Sequence, residues 1–446
     1  MLFSFIKYTN AVSYFNKIRK DGTSVFPIWE EVPDKLKNNV NFDNNYSSKK
    51  SSNLDASWQL VQKGYINDEA NTYKFDSKIP IEDEYRFVRK YYNYLWVYFI
   101  FFIRILSFKN PLSEIIAFVK AYKTRQINVY HKPLIVPEWS SFNSQLIDEQ
   151  PKISVIIPTL NRYEYLKDVL EDLEKQDYAN FEVIVVDQTE PFQEVFYKQF
   201  DLNLDVTFQE EKALWLARNF AINKSKGEYV LLFDDDSRVD SDWISNHLKC
   251  LDFFKVDISS GTSISLVGAK VPQSYSYFKI SDQIDTGNVM LRKEAVFGKL
   301  DLFDRQFEKQ RMGDGEFGMR AYLEGFLNIS NPNASRLHLK VGTGGLRQMG
   351  SWDGMRPKKW FSPRPIPSIL YLYRKYWGNN MAIYALLQSI PLSLTPYNKK
   401  GRTIGYIQSL IIFFIFMPFI LLQVIRSWKL ASKKLKQGDL IQKYDH

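Results

Sequence analysis

The sequence predicts an α/β protein: a mainly parallel sheet flanked by helices, with a helical N-terminal extension before it and a helical, hydrophobic and basic region after it. Three observations predict this. Between residues 151 and 235, three short apolar runs (ISVII, VIVV and YVLLF) alternate with stretches of helical periodicity. Strand–helix–strand repeats with such apolar strands form parallel sheets covered on both faces. Each run stops in a polar cluster, which is where open α/β sheets place their ligands. Beyond Pro363 the composition shifts, and Ile407–Ile425 carries no charge between two basic flanks.

Residues 1–150 make up the N-terminal extension. Asn38–Asn53, rich in Asn, Ser and Lys, reads as a loop. Tyr91–Phe108 is aromatic and apolar, but its charge-free part ends at Ile103, well short of the roughly 20 residues that a spanning helix needs. It is therefore either a core helix or a helix in a membrane interface. Leu112–Lys123 reads as an amphipathic helix.

The central segment, 151–362, opens with a strand over Ile153–Ile157 that Pro158 closes. Asn161–Gln176 carries a helical stripe of Tyr165, Val169, Leu170 and Leu173. Val183–Val186 is a second strand, Ala213–Lys224 a helix and Tyr229–Phe233 a third strand. The pattern then predicts a helix over Val239–Phe253 and strands over Ile264–Val271 and Thr286–Arg292. A helix fills the second half of Arg311–Gly325, and His338–Arg347 is a glycine-rich loop with two basic residues and a His.

In the last segment, 363–446, Ile407–Ile425 is long enough to cross most of a bilayer's hydrocarbon core. Lys399, Lys400 and Arg402 precede it, and Arg426, Lys429, Lys433, Lys434 and Lys436 follow it. A single crossing would leave one basic flank on the disfavoured side. Pro418 offers a bend, so a re-entrant or in-plane helix competes with a spanning one.

Charge and cysteine usage exclude several classes. The net charge is +9, but from Pro396 onward nine Lys or Arg face two Asp, a net of +7, which leaves 9 − 7 = +2 for everything before. A nucleic-acid partner wants a basic face on the folded domain, so none is expected. Cys250 is the only cysteine, which rules out an intramolecular disulfide framework and a cysteine-based zinc site. MLFSFIKYTN has too short an apolar run for a secretory signal, and a reducing, cytoplasmic setting is expected.

The chemistry centres on Asp234, Asp235 and Asp236, at the end of YVLLF. Adjacent carboxylates disfavour one another, so such a cluster implies either a cation or a solvated loop. Magnesium or manganese is typically held by one or two carboxylates plus substrate phosphates. Asp314 and Glu316 stand at a helix start, where capping alone would account for them. No GxxxxGK[ST] loop, HExxH helix or GxSxG elbow occurs. Acids at Asp187, Asp234–Asp236, Asp314 and Glu316 suit a reaction in which a diphosphate leaves. A cation neutralises the phosphates, and a separate carboxylate takes the proton of an incoming hydroxyl.

SVIIPTLNR, VIVVDQ, ARNFAINKSKGEYVLLFDDDS and GDGEFGMR, in that order over about residues 152–350, resemble family 2 glycosyltransferases of the GT-A fold. The resemblance implies a Rossmann-like sheet and transfer of a sugar from a nucleotide-diphosphate sugar with inversion, in cell-surface polysaccharide or glycolipid synthesis. It places Pro158, Asn161 and Arg162 among the donor-binding positions, Asp187 at the donor base and Arg218 near the nucleotide. Gln188 stands where many relatives have a second acid. Asp234 and Asp236 match the DxD motif, with Asp236 the foremost ligand for Mn2+ or Mg2+ and Asp235 a ribose contact. His338 joins the metal ligands, with the glycines after it closing over the diphosphate. Asp314 matches the general base; because Gly313 replaces the Glu usual before it, Glu316 remains a second candidate. No QxxRW follows Gly345, which implies one sugar per acceptor encounter.

The implied partners are a nucleotide-sugar donor, a glycan or lipid-linked acceptor and a membrane surface. The implied place is the cytoplasmic face of a membrane, with peripheral or integral attachment through the C-terminal helix. Two alternatives remain: a sugar nucleotidyltransferase, whose glycine-rich basic loop after the first strand is missing here, and a non-catalytic binding protein on the same fold.

Overall fold

The computed structural model describes residues 1–66, 71–72, 78–265, 271–346, 354–357, 359–396, 399 and 402–445. The chain divides into two compact units rather than the three successive segments read from the sequence. One unit joins residues 1–134 to 350–437; the other joins 135–349 to 438–446.

The first unit is mostly helical, with one small antiparallel ladder of β1 (Thr23–Ser24) and β2 (Asn71–Thr72). Its helices include Lys49–Gln62, Ile81–Tyr91, Tyr94–Leu106 and Pro111–Tyr122. The Asn-rich stretch is a loop only as far as Ser48, whose side chain caps the helix from Lys49 by accepting from the Ser51 N–H. Asn93 and Asn110 cap the two apolar helices in the same way, and Pro111 sits at the first helical position, where its missing N–H costs nothing. Phe5, Tyr8, Tyr85, Val88, Val97, Ile100, Ala117 and Ala121 form a shared core. Within it the Arg104 guanidinium pairs with Glu114, 2.6 Å away. The other faces of these helices stay bare, with Phe102, Leu106, Leu112 and Val119 exposed.

The C-terminal helices of this unit are Pro367–Ser393, broken at Gly378 (φ +80°), Thr403–Ile415 and Met417–Gln437. The uncharged stretch Ile407–Ile425 is thus not one straight helix. It breaks at Phe416 with a bend of 82°, two residues before Pro418, as expected where a proline forbids helix continuation behind it. Among the described residues no single helix is long and apolar enough to cross a membrane.

The second unit has the expected α/β architecture. Its strands are β3 (Ile153–Thr159), β4 (Phe181–Asp187), β5 (Leu204–Phe208), β6 (Tyr229–Phe233), β7 (Ser237–Val239), β8 (Ile258–Ser265), β9 (Lys279–Ile280), β10 (Asn288–Arg292) and β11 (Asn328–His338). The sheet order is β5-β4-β3-β6-β10-β8-β11-β7, with β9 on β11. The first four strands are parallel; β10 runs antiparallel to β6 and β8, and β11 parallel to β8. Helices Tyr163–Leu173, Leu214–Lys224, Trp243–Phe254 and Gly313–Leu323 accompany it.

Several expectations need correcting. Pro158 does not close its strand: β3 continues to Thr159 because pairing with β6 ends at Ile156, so the missing N–H faces no ladder there. The strand expected at Ile264–Val271 starts instead at Ile258, and residues 266–270 lie outside the described residues. Small residues (ISSGTSIS) hide it from a search for apolar runs. Gly261 in it has no room for a side chain, since a Cβ would lie 1.9 Å from the Ala334 carbonyl. The helix expected from Val239 begins at Trp243, because Ser237–Val239 pairs with the end of β11.

Candidate functional site

The carboxyl ends of β3, β4 and β6 share one edge of the sheet, and the site assembles there. Asp234 follows the last residue of β6. Because β10 pairs antiparallel with β6 and Asn288 stands opposite Phe233, Gly287 comes to lie against Asp234. Because β7 pairs antiparallel with the end of β11 and His338 stands opposite Ser237, His338 comes to lie against Asp236. The His338 Nε2 is 3.3 Å from Asp236 Oδ1.

Asp234, Asp236 and His338 can each offer one ligand atom within 4.8 Å of the other two. Two carboxylates and an imidazole at that spacing suit a divalent cation of the Mn2+ or Mg2+ kind, with room for further oxygen ligands from a phosphate. Burial pushes the Asp236 carboxyl up, but His338 and the Arg162 guanidinium more than offset it and hold it below the usual carboxylate range.

Arginines surround these acids. Arg162 donates from Nη1 to Asp235 Oδ1 at 2.8 Å and approaches Asp236 Oδ2 at 3.2 Å. Its Nε and Nη2 donate to the carbonyls of Thr343 and Val341, so it also ties down the loop after His338. Gly344 and Gly345, both at positive φ, pack against residues 160–162, where a Cβ would collide. The glycine-rich loop therefore covers this end of the site as far as residue 346; Arg347 lies outside the described residues.

The structure changes the roles of three expected residues. Arg218 is fully buried; it donates to Thr286 Oγ1, to the Thr286 carbonyl and, at 2.9 Å, to Asp234 Oδ1. It orients Asp234. Asp235 is also buried, held by Arg162 and by the Thr159 hydroxyl at 2.8 Å, and burial raises its carboxyl to about 6 against the pull of Arg162. Held in this way, it braces the site. Glu316 is fully buried, both its oxygens 3.0 Å from the Arg320 Nε, so it is not available as a base. Asp314, two positions away, is only partly buried, and its Oδ1 accepts the Gly315 N–H.

The neighbourhood of Asp314 explains the missing Glu. A Cβ on Gly313 would lie 2.3 Å from the Trp215 ring. The indole fills the space a side chain at 313 would occupy, and only glycine fits. Trp215 also lies beneath the Arg218 guanidinium, 5.3 Å from its ring centroid, so a chain of contacts runs from Gly313 through Trp215 and Arg218 to Asp234.

At the end of β4, Asp187 is fully buried. Its Oδ2 accepts the hydroxyls of Tyr163 (2.6 Å) and Tyr197 (2.8 Å), and its Oδ1 the Thr189 N–H. The Thr189 hydroxyl accepts the backbone N–H of exposed Asn161, which sits at φ +54°. The Gln188 Oε1 accepts the Ala213 N–H at 2.7 Å, which fixes the amide and leaves its buried Nε2 without a partner among the described residues.

Sequence reasoning missed Arg336. It is buried and donates to Asp234 Oδ2 at 2.9 Å, to the Ser237 hydroxyl and to both oxygens of Asp285. Once His338 is assigned to a strand, alternation puts residue 336 on the same face; without β11 there was no signal. Gly287 was missed as well: a Cβ there would lie 2.1 Å from Asp234 Oδ2.

Known proteins resemble parts of this chain. Residues 154–306 match Glycosyl transferase family 2. The chain is 28% identical over 171 residues to the glycosyltransferase GlyA of Streptococcus pneumoniae, covering 37% of this chain and 23% of that protein. It is 30% identical over 130 residues to the poly(ribitol-phosphate) beta-N-acetylglucosaminyltransferase TarS of Staphylococcus aureus, covering 28% and 23%. Solved structures include TarS 1–349 in complex with UDP-GlcNAc (20% identity, TM-score 0.39, 63% of this chain and 81% of that one). Another is the mannosyltransferase PcManGT of Pyrobaculum calidifontis with GDP-Man and Mn2+ (15% identity, TM-score 0.42, 67% and 91%). The chain spans about a quarter of the length of the first curated relatives it matches.

Proposed function

We propose that the protein, whose residues 154–306 match glycosyl transferase family 2, transfers a sugar from a nucleotide-diphosphate sugar to an acceptor hydroxyl, with inversion and one sugar at a time. The observation that carries this reading is the convergence of Asp234, Asp236 and His338 on one cation-sized site at the end of β6. A divalent cation, Mn2+ or Mg2+, held there would neutralise the leaving diphosphate. Arg218 and Arg336 hold the Asp234 carboxylate in position, and Arg162 anchors the loop that covers the phosphates. Asp187 and the two tyrosines whose hydroxyls it accepts, Tyr163 and Tyr197, stand on the side that the nucleotide base takes in this reading. Asp314, the acid left free by the locking of Glu316, takes the proton of the attacking hydroxyl.

The setting in this reading is cell-surface polysaccharide or glycolipid synthesis, and the name of one relative, a poly(ribitol-phosphate) transferase, supports a polymer acceptor. The acceptor in this reading is a glycan or a lipid-linked saccharide, and the protein works at the cytoplasmic face of a membrane. The exposed apolar helices of the first unit support the membrane part. To test the catalytic reading, purified protein is given Mn2+ and a panel of nucleotide sugars, and donor turnover is measured. Turnover of one donor that falls at least a hundredfold in Asp314→Asn is expected. No turnover of any donor, or equal rates in the variant, contradicts the reading.

A further inference from the structure

Residues 354–438 contain fourteen Lys or Arg and not one Asp or Glu. Such a segment cannot neutralise itself. Arg364 makes the point locally: it is 8% exposed, and among the described residues its side chain donates only to the Ser393 hydroxyl, at 3.3 Å, with no partner for its Nε. Burial and the neighbouring Arg356 lower its proton affinity to about 10.

Next to it lies a cavity of about 780 Å³, walled by Trp360, Phe361, Pro363, Phe416 and Phe419, with Lys359 and Arg426 as its charged members. The cavity is a built feature. Trp360 packs on the rings of Phe416 and Phe419 at 5.8 and 5.6 Å. The Gln423 Nε2 donates to the Trp360 carbonyl, Arg426 to the Phe361 carbonyl and the Ser427 hydroxyl to the Pro365 carbonyl. These bonds fasten the 360–365 loop to helix Met417–Gln437.

The cavity's surroundings are as apolar as its wall. Trp360 and Phe361 are 61% and 68% exposed, and Ile411, Phe414, Ile415, Leu421 and Leu422 are exposed beyond them. Helix Met417–Gln437 buries Ile420, Gln423, Ser427 and Ala431 along one stripe. The rest of its surface is apolar in the first half and basic in the second. A patch of this size signals a partner. An apolar surface ringed by cations, with no acid among them, is complementary to one that offers hydrocarbon and negative charge together.

We propose that this cavity seats an anionic membrane phospholipid, with its phosphate paired to Lys359 and Arg426 and its acyl chain against Trp360, Phe361, Phe416 and Phe419. Around it, the bent pair Thr403–Ile415 and Met417–Gln437 lies in the bilayer interface instead of crossing. This deepens the membrane reading above and rests on it, but owes nothing to sugar transfer.

The test uses the full chain and vesicles of phosphatidylcholine alone or mixed with phosphatidylglycerol, read by co-flotation and by quenching of tryptophan fluorescence with brominated lipids. We expect at least tenfold tighter binding to the mixed vesicles. The double variant Lys359→Gln/Arg426→Gln should lose about tenfold or more of that, since each cation near an anionic surface is worth about 1 kcal/mol. The brominated lipids should quench the wild type more than Trp360→Phe, a mild change that keeps the ring. If the wild type floats with the mixed vesicles but neither variant differs from it, the membrane reading stands and the lipid seat is overturned. Equal binding to both vesicles leaves the membrane reading standing and overturns the lipid seat. Binding to neither vesicle overturns the two together. So does a lipid-free dimer that Phe416→Asp dissociates, because a second copy would then cover this surface.

Discussion

Asp314 and Glu316 stand two positions apart on one helix yet meet different surroundings. Glu316 faces inward onto Arg320, whose remaining N–H groups go to the carbonyls of Leu300 and Leu302. Replacing it by Gln leaves the half-buried Arg320 guanidinium without its counter-charge, at a cost of about 2–4 kcal/mol; denaturant unfolding should read that loss. Asp314→Asn should instead leave the unfolding midpoint unchanged while abolishing most turnover. Gly287→Ala makes the complementary case: its methyl would displace Asp234 or Arg336, so the variant should fold but lose Mn2+ binding at least tenfold, as read by calorimetry. Elsewhere in this unit, buried His247 lies 2.9 Å from the Ser259 hydroxyl and 3.1 Å from Asn288 Oδ1, and burial lowers its imidazole to about 4. A depressed histidine binds its proton more weakly folded than unfolded. Its contribution is therefore complete above about 6.5 and is lost as pH falls from there toward 4, by roughly 3 kcal/mol in all. Unfolding free energies measured across that window should fall on acidification, and should fall less in His247→Gln; equal slopes in the two proteins would contradict this.

At the scale of elements, the legible parts were those whose side chains are large and uniformly apolar. Tyr229–Phe233 has the boundaries read from its hydrophobic run, and β3 and β4 differ only by a residue or two at their ends. The elements that complete the site were not legible, because their chemistry resembles that of loops. β8 and β11 are built from Ser, Asn, Gly and Thr, and their stability comes from pairing with each other and with β10 rather than from propensity. β7 has three residues and exists only because β11 lies opposite. Asp234, Asp236 and His338 could thus be picked from motifs, while Arg336 and Gly287 emerge only once long-range pairing is known. Arg218 and Glu316 illustrate the converse: residue type and position in a motif do not reveal which side of an element is buried.

At the scale of the molecule, the chain's last residues return to the unit that carries the site. Leu440 and Gln442 pair through their carbonyls with the N–H groups of Arg305 and Leu302, the Gln442 side chain accepts from Asn219, and the Tyr444 hydroxyl donates to Glu294 at 2.5 Å. The sequence had grouped this tail with the hydrophobic region before it, and nothing in its composition marked the difference. A variant ending at Gln437 should lose stability by about 2–5 kcal/mol, the sum of several net hydrogen bonds, with a lower thermal midpoint. In the proposed function, Asp234, Asp236 and His338 make a cation-dependent seat for a sugar nucleotide. The most direct measurement is calorimetric titration of UDP and of GDP into the purified protein with and without Mn2+, repeated on Asp236→Asn. Binding of one nucleotide that requires Mn2+ and weakens at least tenfold in the variant is predicted. Binding that is indifferent to the cation and unchanged by the substitution would contradict it.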